Sequence, residues 1–147
     1  MDQSNFDILL VEDNSDDAGL TIRAFRKNNI SNALLHLTNG QEALDFIFCE
    51  GVYQNRNISD VPKLILLDLK MPKVDGVEVL KRIKSDDRTK GVPVVVLTSS
   101  NENNDITTCY RFGANSYIVK PVEFNDFVKA VASVGNYWLL LNQHPQK

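Results

Sequence analysis

The sequence predicts an α/β fold: a doubly wound, five-stranded parallel sheet in the order 2-1-3-4-5, with helices on both faces. Three features predict it. Short apolar runs alternate with helical patterns five times, the rhythm of strands joined by crossover helices. The central run Leu64-Ile65-Leu66-Leu67 lacks any period-2 alternation, as expected of a strand buried on both faces. Each run then breaks into polar residues, at the edge where open α/β sheets bind their ligands. The crossovers are expected to be right-handed.

The 147 residues suit one domain with a single core. A hydrophobic content of 43% beside 24% charged residues is ordinary for a globular protein. The net charge of −3, with no basic run, argues against direct nucleic-acid binding. Met1 to Phe6 lacks a signal-peptide pattern, and no apolar run approaches the roughly 20 residues of a membrane span. The chain reads as cytoplasmic and not membrane-bound. Cys49 and Cys109 stand far apart without a CxxC, so both are expected to be buried thiols in a reducing compartment.

The first strand is Phe6 to Val11, followed by Glu12-Asp13. Asn14 offers an N-cap and Asp16-Asp17 an acidic first turn to a helix whose apolar face is Ala18, Ile22 and Phe25. Ala33 to Leu37 is the second strand. Asn39-Gly40 breaks before a second helix carrying Ala43, Leu44, Ile47 and Phe48. Periodicity then vanishes from Gly51 to Asp60, which predicts an exposed loop of unusual length.

The third strand ends at Asp68, and Pro72 stops extended pairing. Asp75-Gly76 supplies turn chemistry before a helix with Val77, Val79, Leu80 and Ile83. The β-branched run Val92 to Leu97 is the fourth strand and leads into Thr98-Ser99-Ser100. A weak, polar fourth helix spans 101–110, with Ile106, Cys109 and Phe112 as its face. Ser116 to Val119 is the fifth strand, closed by Lys120-Pro121. The last helix opens near Glu123 and presents Phe124, Phe127, Val128, Val131, Val134, Trp138 and Leu141. A disordered tail is expected over 142–147.

The strand ends deliver Glu12 and Asp13, Asp68, Thr98 and Lys120 to one rim. Three carboxylates this close repel one another unless a cation lies among them. Carboxylate oxygens at an open, partly hydrated site suit Mg²⁺. Thr98 adds a hydroxyl and Lys120 a positive charge, the complement of a transferred phosphoryl group. Asp68 is then a carboxylate nucleophile able to form an aspartyl-phosphate.

At these residues the chain resembles a response-regulator receiver domain of two-component signalling. The resemblance rests on Leu10-Val11-Glu12-Asp13-Asn14, on Leu66 to Gly76 around Asp68, on Val96-Leu97-Thr98-Ser99 and on Ser116 to Pro121, in that order. It covers 6–141. It implies a flavodoxin-like fold and phosphotransfer from a histidine kinase to Asp68. It further implies Mg²⁺ held by Glu12, Asp13, Asp68 and the Lys70 carbonyl, a phosphate-binding Lys120, and a coupled switch pair of Thr98 and Tyr117. The long 51–63 connection and the late Tyr137-Trp138 are similar to stand-alone regulators of the cyanobacterial-phytochrome type, which implies a phytochrome-type kinase and a homodimer.

Two positions that flank the attacking water in this family hold Lys70 and Ser100 here, neither an acid nor an amide. A long-lived phosphoryl group is expected. Only one helix and a tail follow Lys120, so output is expected to pass through partner binding. The face made by helix four, strand five and helix five is the expected dimer seam. A dehalogenase-class phosphatase wants a second Asp where Lys70 stands, and a flavodoxin wants a hydroxyl-rich loop where the acidic 12–17 stretch lies. A non-phosphorylated pseudo-receiver scaffold remains the alternative reading.

Overall fold

A computed structural model describes residues 6–144. In chain order it contains β1 (Ile8–Val11), α1 (Ser15–Lys27), β2 (Leu34–Leu37), α2 (Gly40–Ile47), β3 (Leu64–Leu67), α3 (Gly76–Ser85), β4 (Val94–Thr98), α4 (Asn103–Arg111), β5 (Ser116–Val119) and α5 (Phe124–Gly135). The five strands form one parallel sheet in the order β2-β1-β3-β4-β5, as the sequence predicts. No helix among the described residues is long and apolar enough to cross a membrane.

The pleat explains the two-sided core. Leu9, Val11, Ile65 and Leu67 face α2, α3 and α4, while Ile8, Leu10, Leu64 and Leu66 face α1 and α5. Every residue of β1 and β3 is therefore buried, which is why neither run alternates in sequence.

Register then brings the functional edge into line. Val11 pairs with Leu67 and Val96 with Tyr117. The ladder continues one residue further: Glu12 donates to the Leu37 carbonyl, Asp68 to that of Val11, and Lys120 to that of Thr98. Glu12, Asp68 and Lys120 are thus fixed by backbone pairing at the carboxyl edge.

Asn14 caps α1 as the sequence predicts, and Asp75, expected as a turn residue, caps α3. Asn14 Oδ1 accepts from Asp16 and Asp17 at the start of α1, and Asp75 Oδ1 accepts from Glu78 at the start of α3. Gly76 is required by a close approach. A Cβ there would lie 2.1 Å from the Asp68 carbonyl oxygen and 2.6 Å from Leu69 Cα.

Four expectations need correcting. Gly40 opens α2 instead of preceding it, because Asn39 caps the helix by accepting from Glu42. The 51–60 stretch is not simply an exposed loop: it begins with a 3₁₀ turn (Gly51–Tyr53) and wraps a buried Arg56. That guanidinium lies over the Phe46 ring at 3.8 Å and donates to the carbonyls of Phe46 and Asp60. Cys109 is buried, and burial pushes its thiol up to about 11, but Cys49 is only half-buried and accepts from Arg56.

The last correction concerns the final helix. After Gly135 it continues as a wider π-helical turn, Asn136–Leu141. Phe127, Val131 and Val134 are buried, yet Phe124 and Leu141 are exposed. Of the expected tail, Asn142 donates to the Tyr137 carbonyl and His144 pairs with that of Trp138. Residues 145–147 lie outside the described residues.

Candidate functional site

Asp68 follows β3 directly and is nearly buried, at 8% exposure. Its Oδ1 accepts from the Leu69 amide at 2.8 Å, which fixes the carboxylate against the edge of the sheet. Glu12 is buried and Asp13 exposed. Among the described residues these three each offer a carboxylate oxygen within 4.8 Å of the others. Such a set of hard oxygen donors, one side open, fits a hydrated divalent cation.

Lys120 closes the site from β5. Its Nζ lies 2.6 Å from Glu12 Oε1, 2.8 Å from Asp17 Oδ2 and 3.9 Å from Asp68 Oδ2. Burial pulls the Lys120 ammonium toward a lower pKa, but the bonds to Asp17 and Glu12 outweigh it and raise the value. Burial is also the chief influence on Glu12 and pushes its carboxyl up to about 7. The Lys120 bond works against that rise and the Asp68 charge adds to it. The Asn14 amide gives Glu12 Oε2 a further donor at 3.2 Å.

Thr98 ends β4 fully buried and Tyr117 lies half-buried on β5. The two meet through Ser100. The Ser100 amide donates to Thr98 Oγ1 at 3.5 Å, and the Tyr117 hydroxyl donates to the Ser100 carbonyl at 2.9 Å. The Lys70 side chain is exposed. Lys70 and Asp13 share the wall of a cleft of about 500 Å³ with Pro72, Val77 and Asp105.

Two participants, Asp17 and Asp105, escaped the sequence reading, and Ser100, expected only beside the attacking water, takes a second place in the site. Asp17 looked like an ordinary first-turn charge of α1, yet it shares Lys120 with Glu12. Ser100 is the junction between Thr98 and Tyr117. Asp105, from the first turn of α4, accepts from Ser100 Oγ at 2.5 Å, so an acid does attend the position where none stands in sequence. An acidic helical first turn is the common signature of Asp17 and Asp105, and by itself it signals only dipole compensation.

An acidic cluster, a buried lysine and a hydroxyl at adjacent strand ends are what phosphoryl transfer to a carboxylate needs. The response regulator receiver domain family matches residues 8–132. The chain is a response-regulator receiver domain. It is 41% identical over 140 residues to FilR2 of Methanothrix harundinacea, spanning 95% of this chain and 88% of that protein. It is 39% identical over 132 residues to the response regulator Rcp1 of Synechocystis sp., spanning 90% and 88%.

Two solved structures resemble this receiver domain closely. The phosphorylated cyanobacterial phytochrome response regulator RcpA has a TM-score of 0.88 at 37% identity, covering 95% of this chain and 97% of that one. The Mn²⁺-bound form of Rcp1 has a TM-score of 0.87 at 37% identity, covering 95% and 98%. Receiver domains are Mg²⁺-binding phosphoacceptors that work with histidine kinases, and the Glu12, Asp13 and Asp68 oxygens fit that cation.

Proposed function

We propose that residues 6–141 form the working receiver and that Asp68 is its phosphoacceptor. The observation that carries this reading is the position of Lys120 Nζ: it bridges Glu12 and Asp17 while lying 3.9 Å from Asp68. One ammonium thereby neutralises the rim and stands ready for a phosphoryl oxygen. On this reading Glu12, Asp13, Asp68 and the Lys70 carbonyl hold Mg²⁺, whose charge offsets that of the incoming phosphoryl group.

Transfer is then self-catalysed. An Asp68 carboxylate oxygen attacks phosphorus, the bond from phosphorus to the kinase histidine breaks, and its electron pair returns to the imidazole. Lys120 takes up negative charge on the phosphoryl group, and the Thr98 hydroxyl, one strand over, donates to it. Movement of Thr98 is carried to Tyr117 through Ser100, whose amide and carbonyl touch both. Loss of the phosphoryl group is slow, since neither Lys70 nor Ser100 is itself an acid or an amide.

Output follows through partner binding in the cytoplasm, without direct contact to nucleic acid. Tyr110, Val119, Val122 and Phe124 are exposed at the α4, β5 and α5 face, and Val122 is wholly so. Apolar exposure of this kind supports a homodimer seam there. The relation to RcpA, a phytochrome response regulator, supports a phytochrome-type histidine kinase as donor.

Phosphoramidate tests the donor chemistry, because its P–N bond stands in for phosphohistidine. With Mg²⁺ it should phosphorylate the protein, and borohydride reduction followed by peptide mapping should place the label on Asp68. Label on any other residue would overturn the assignment.

A further inference from the structure

Slow hydrolysis of the phosphoryl group still needs a water, and the cleft beside the site holds two carboxylates that the transfer step does not use, of which Asp75 is committed to capping α3 through the Glu78 amide. Asp105 reaches from the first turn of α4 into the cleft that Asp13 and Lys70 also line. Ser100 Oγ donates to Asp105 Oδ2 at 2.5 Å, leaving Oδ1 to accept from a further donor. Ser100 is held in turn by Thr98 Oγ1 and by the Tyr117 hydroxyl. A carboxylate on the cleft wall, its orientation set by a neighbouring hydroxyl, has the construction of a general base oriented by a third group.

We infer that Asp105 holds and deprotonates the water that removes the phosphoryl group from Asp68, with Ser100 as its positioning residue. The inference rests on the reading of Asp68 as phosphoacceptor. In the step, the water oxygen bonds to phosphorus and the bond from phosphorus to the Asp68 oxygen breaks. That electron pair returns to the Asp68 carboxylate, the water proton passes to Asp105 Oδ1, and inorganic phosphate leaves. Asp105 then returns the proton to solvent.

A helix cap is the competing explanation of the same bond. Ser100 Oγ also accepts from the Glu102 amide at 3.4 Å, and Glu102 offers α4 no side-chain cap of its own. The two roles separate chemically. An asparagine at position 105 still accepts a hydrogen bond from Ser100 and so keeps the cap, but it cannot take a proton from water.

The test loads the protein with acetyl phosphate and Mg²⁺, removes the donor, and follows the phosphorylated fraction by intact mass, normalised to time zero. Asp105→Asn should lose its phosphoryl group about tenfold more slowly than wild type. That is less than the 10²–10⁴ of a dedicated base, because the site is only partly enclosed. Asp105→Glu should recover most of the rate. Ser100→Ala should slow the loss and Ser100→Thr restore it, and Ser100→Ala with Asp105→Asn together should be no slower than Asp105→Asn alone.

Decay of Asp105→Asn at the wild-type rate or faster, or failure of Asp105→Glu to recover it, overturns the inference while leaving Asp68 in place. No uptake by wild type overturns the Asp68 reading, and this inference with it.

Discussion

Lys120 Nζ lies 2.6 Å from Glu12 Oε1 and reaches it across the full depth of the sheet edge, from β5 over β4 and β3 to β1. The bond closes a loop between the two ends of the chain. It also sets the electrostatics of the site, because Glu12 is buried and, among the described residues, the Lys120 ammonium is the cation that pairs with it.

Removing that charge should be costly. Lys120→Met leaves Glu12 buried and Asp17 partly buried without their cation, and stranding one member of a buried pair costs about 3–5 kcal/mol. Urea unfolding without divalent cations should show a loss of that order, and millimolar Mg²⁺ should recover part of it. Unchanged metal-free stability would count against the pairing.

Glu12 should make both stability and metal binding depend on pH. Its folded pKa of about 7 exceeds the unfolded value of 4.5. Between those values the folded state binds more protons than the unfolded state. The contribution of this group to stability is therefore fully present below pH 4.5 and is lost as pH rises through 7, a change on the order of 3 kcal/mol. Mg²⁺ needs the ionised form, so its affinity should rise over the same window and its binding should release protons. Calorimetry at pH 6 in buffers of different ionisation enthalpy measures that release, and Glu12→Gln should abolish it.

Gly76→Ala should disturb the acceptor loop from behind. The new Cβ meets backbone atoms of Asp68 and Leu69, which cannot swing aside as a side chain could. Overpacking of this kind costs typically 1–3 kcal/mol. Because the displaced atoms belong to Asp68, Mg²⁺ affinity should fall together with stability. A destabilised variant with wild-type Mg²⁺ affinity would show that the loop absorbs the strain elsewhere.

The α4, β5 and α5 face should respond to charge. Val122→Asp and Phe124→Asp alter fully or half-exposed side chains and should leave folding stability within about 0.5 kcal/mol. Sedimentation velocity at tens of micromolar should show a dimer in wild type and a monomer in the double variant. A monomeric wild type, with or without phosphorylation, would remove this face as the seam.

What the sequence revealed follows from how strongly each position is constrained. Leu64 to Leu67 were legible because burial on both faces permits no polar residue. Asp68, Glu12 and Lys120 were legible as the first polar side chains beyond such runs. Arg56 was not, because the Phe46 ring and the Phe46 and Asp60 carbonyls that hold it are brought together only by the fold. Asp17 and Asp105 were hidden by their ordinary place in helical first turns. Leu141 was assigned to the apolar face by 3.6-residue periodicity, and the π-helical turn over Asn136–Leu141 breaks that register before the residue is reached. Phe124, at the first position of α5, precedes the part of the helix that meets the core.

The most direct measurement is intact mass after incubation with Mg²⁺ and acetyl phosphate, for wild type and Asp68→Asn. The account predicts a gain of one phosphoryl group in wild type alone, abolished by a chelator. No gain in either protein, or an equal gain in both, would contradict it; the first result would turn attention to a scaffold that binds partners without phosphorylation, and the second to a different acceptor.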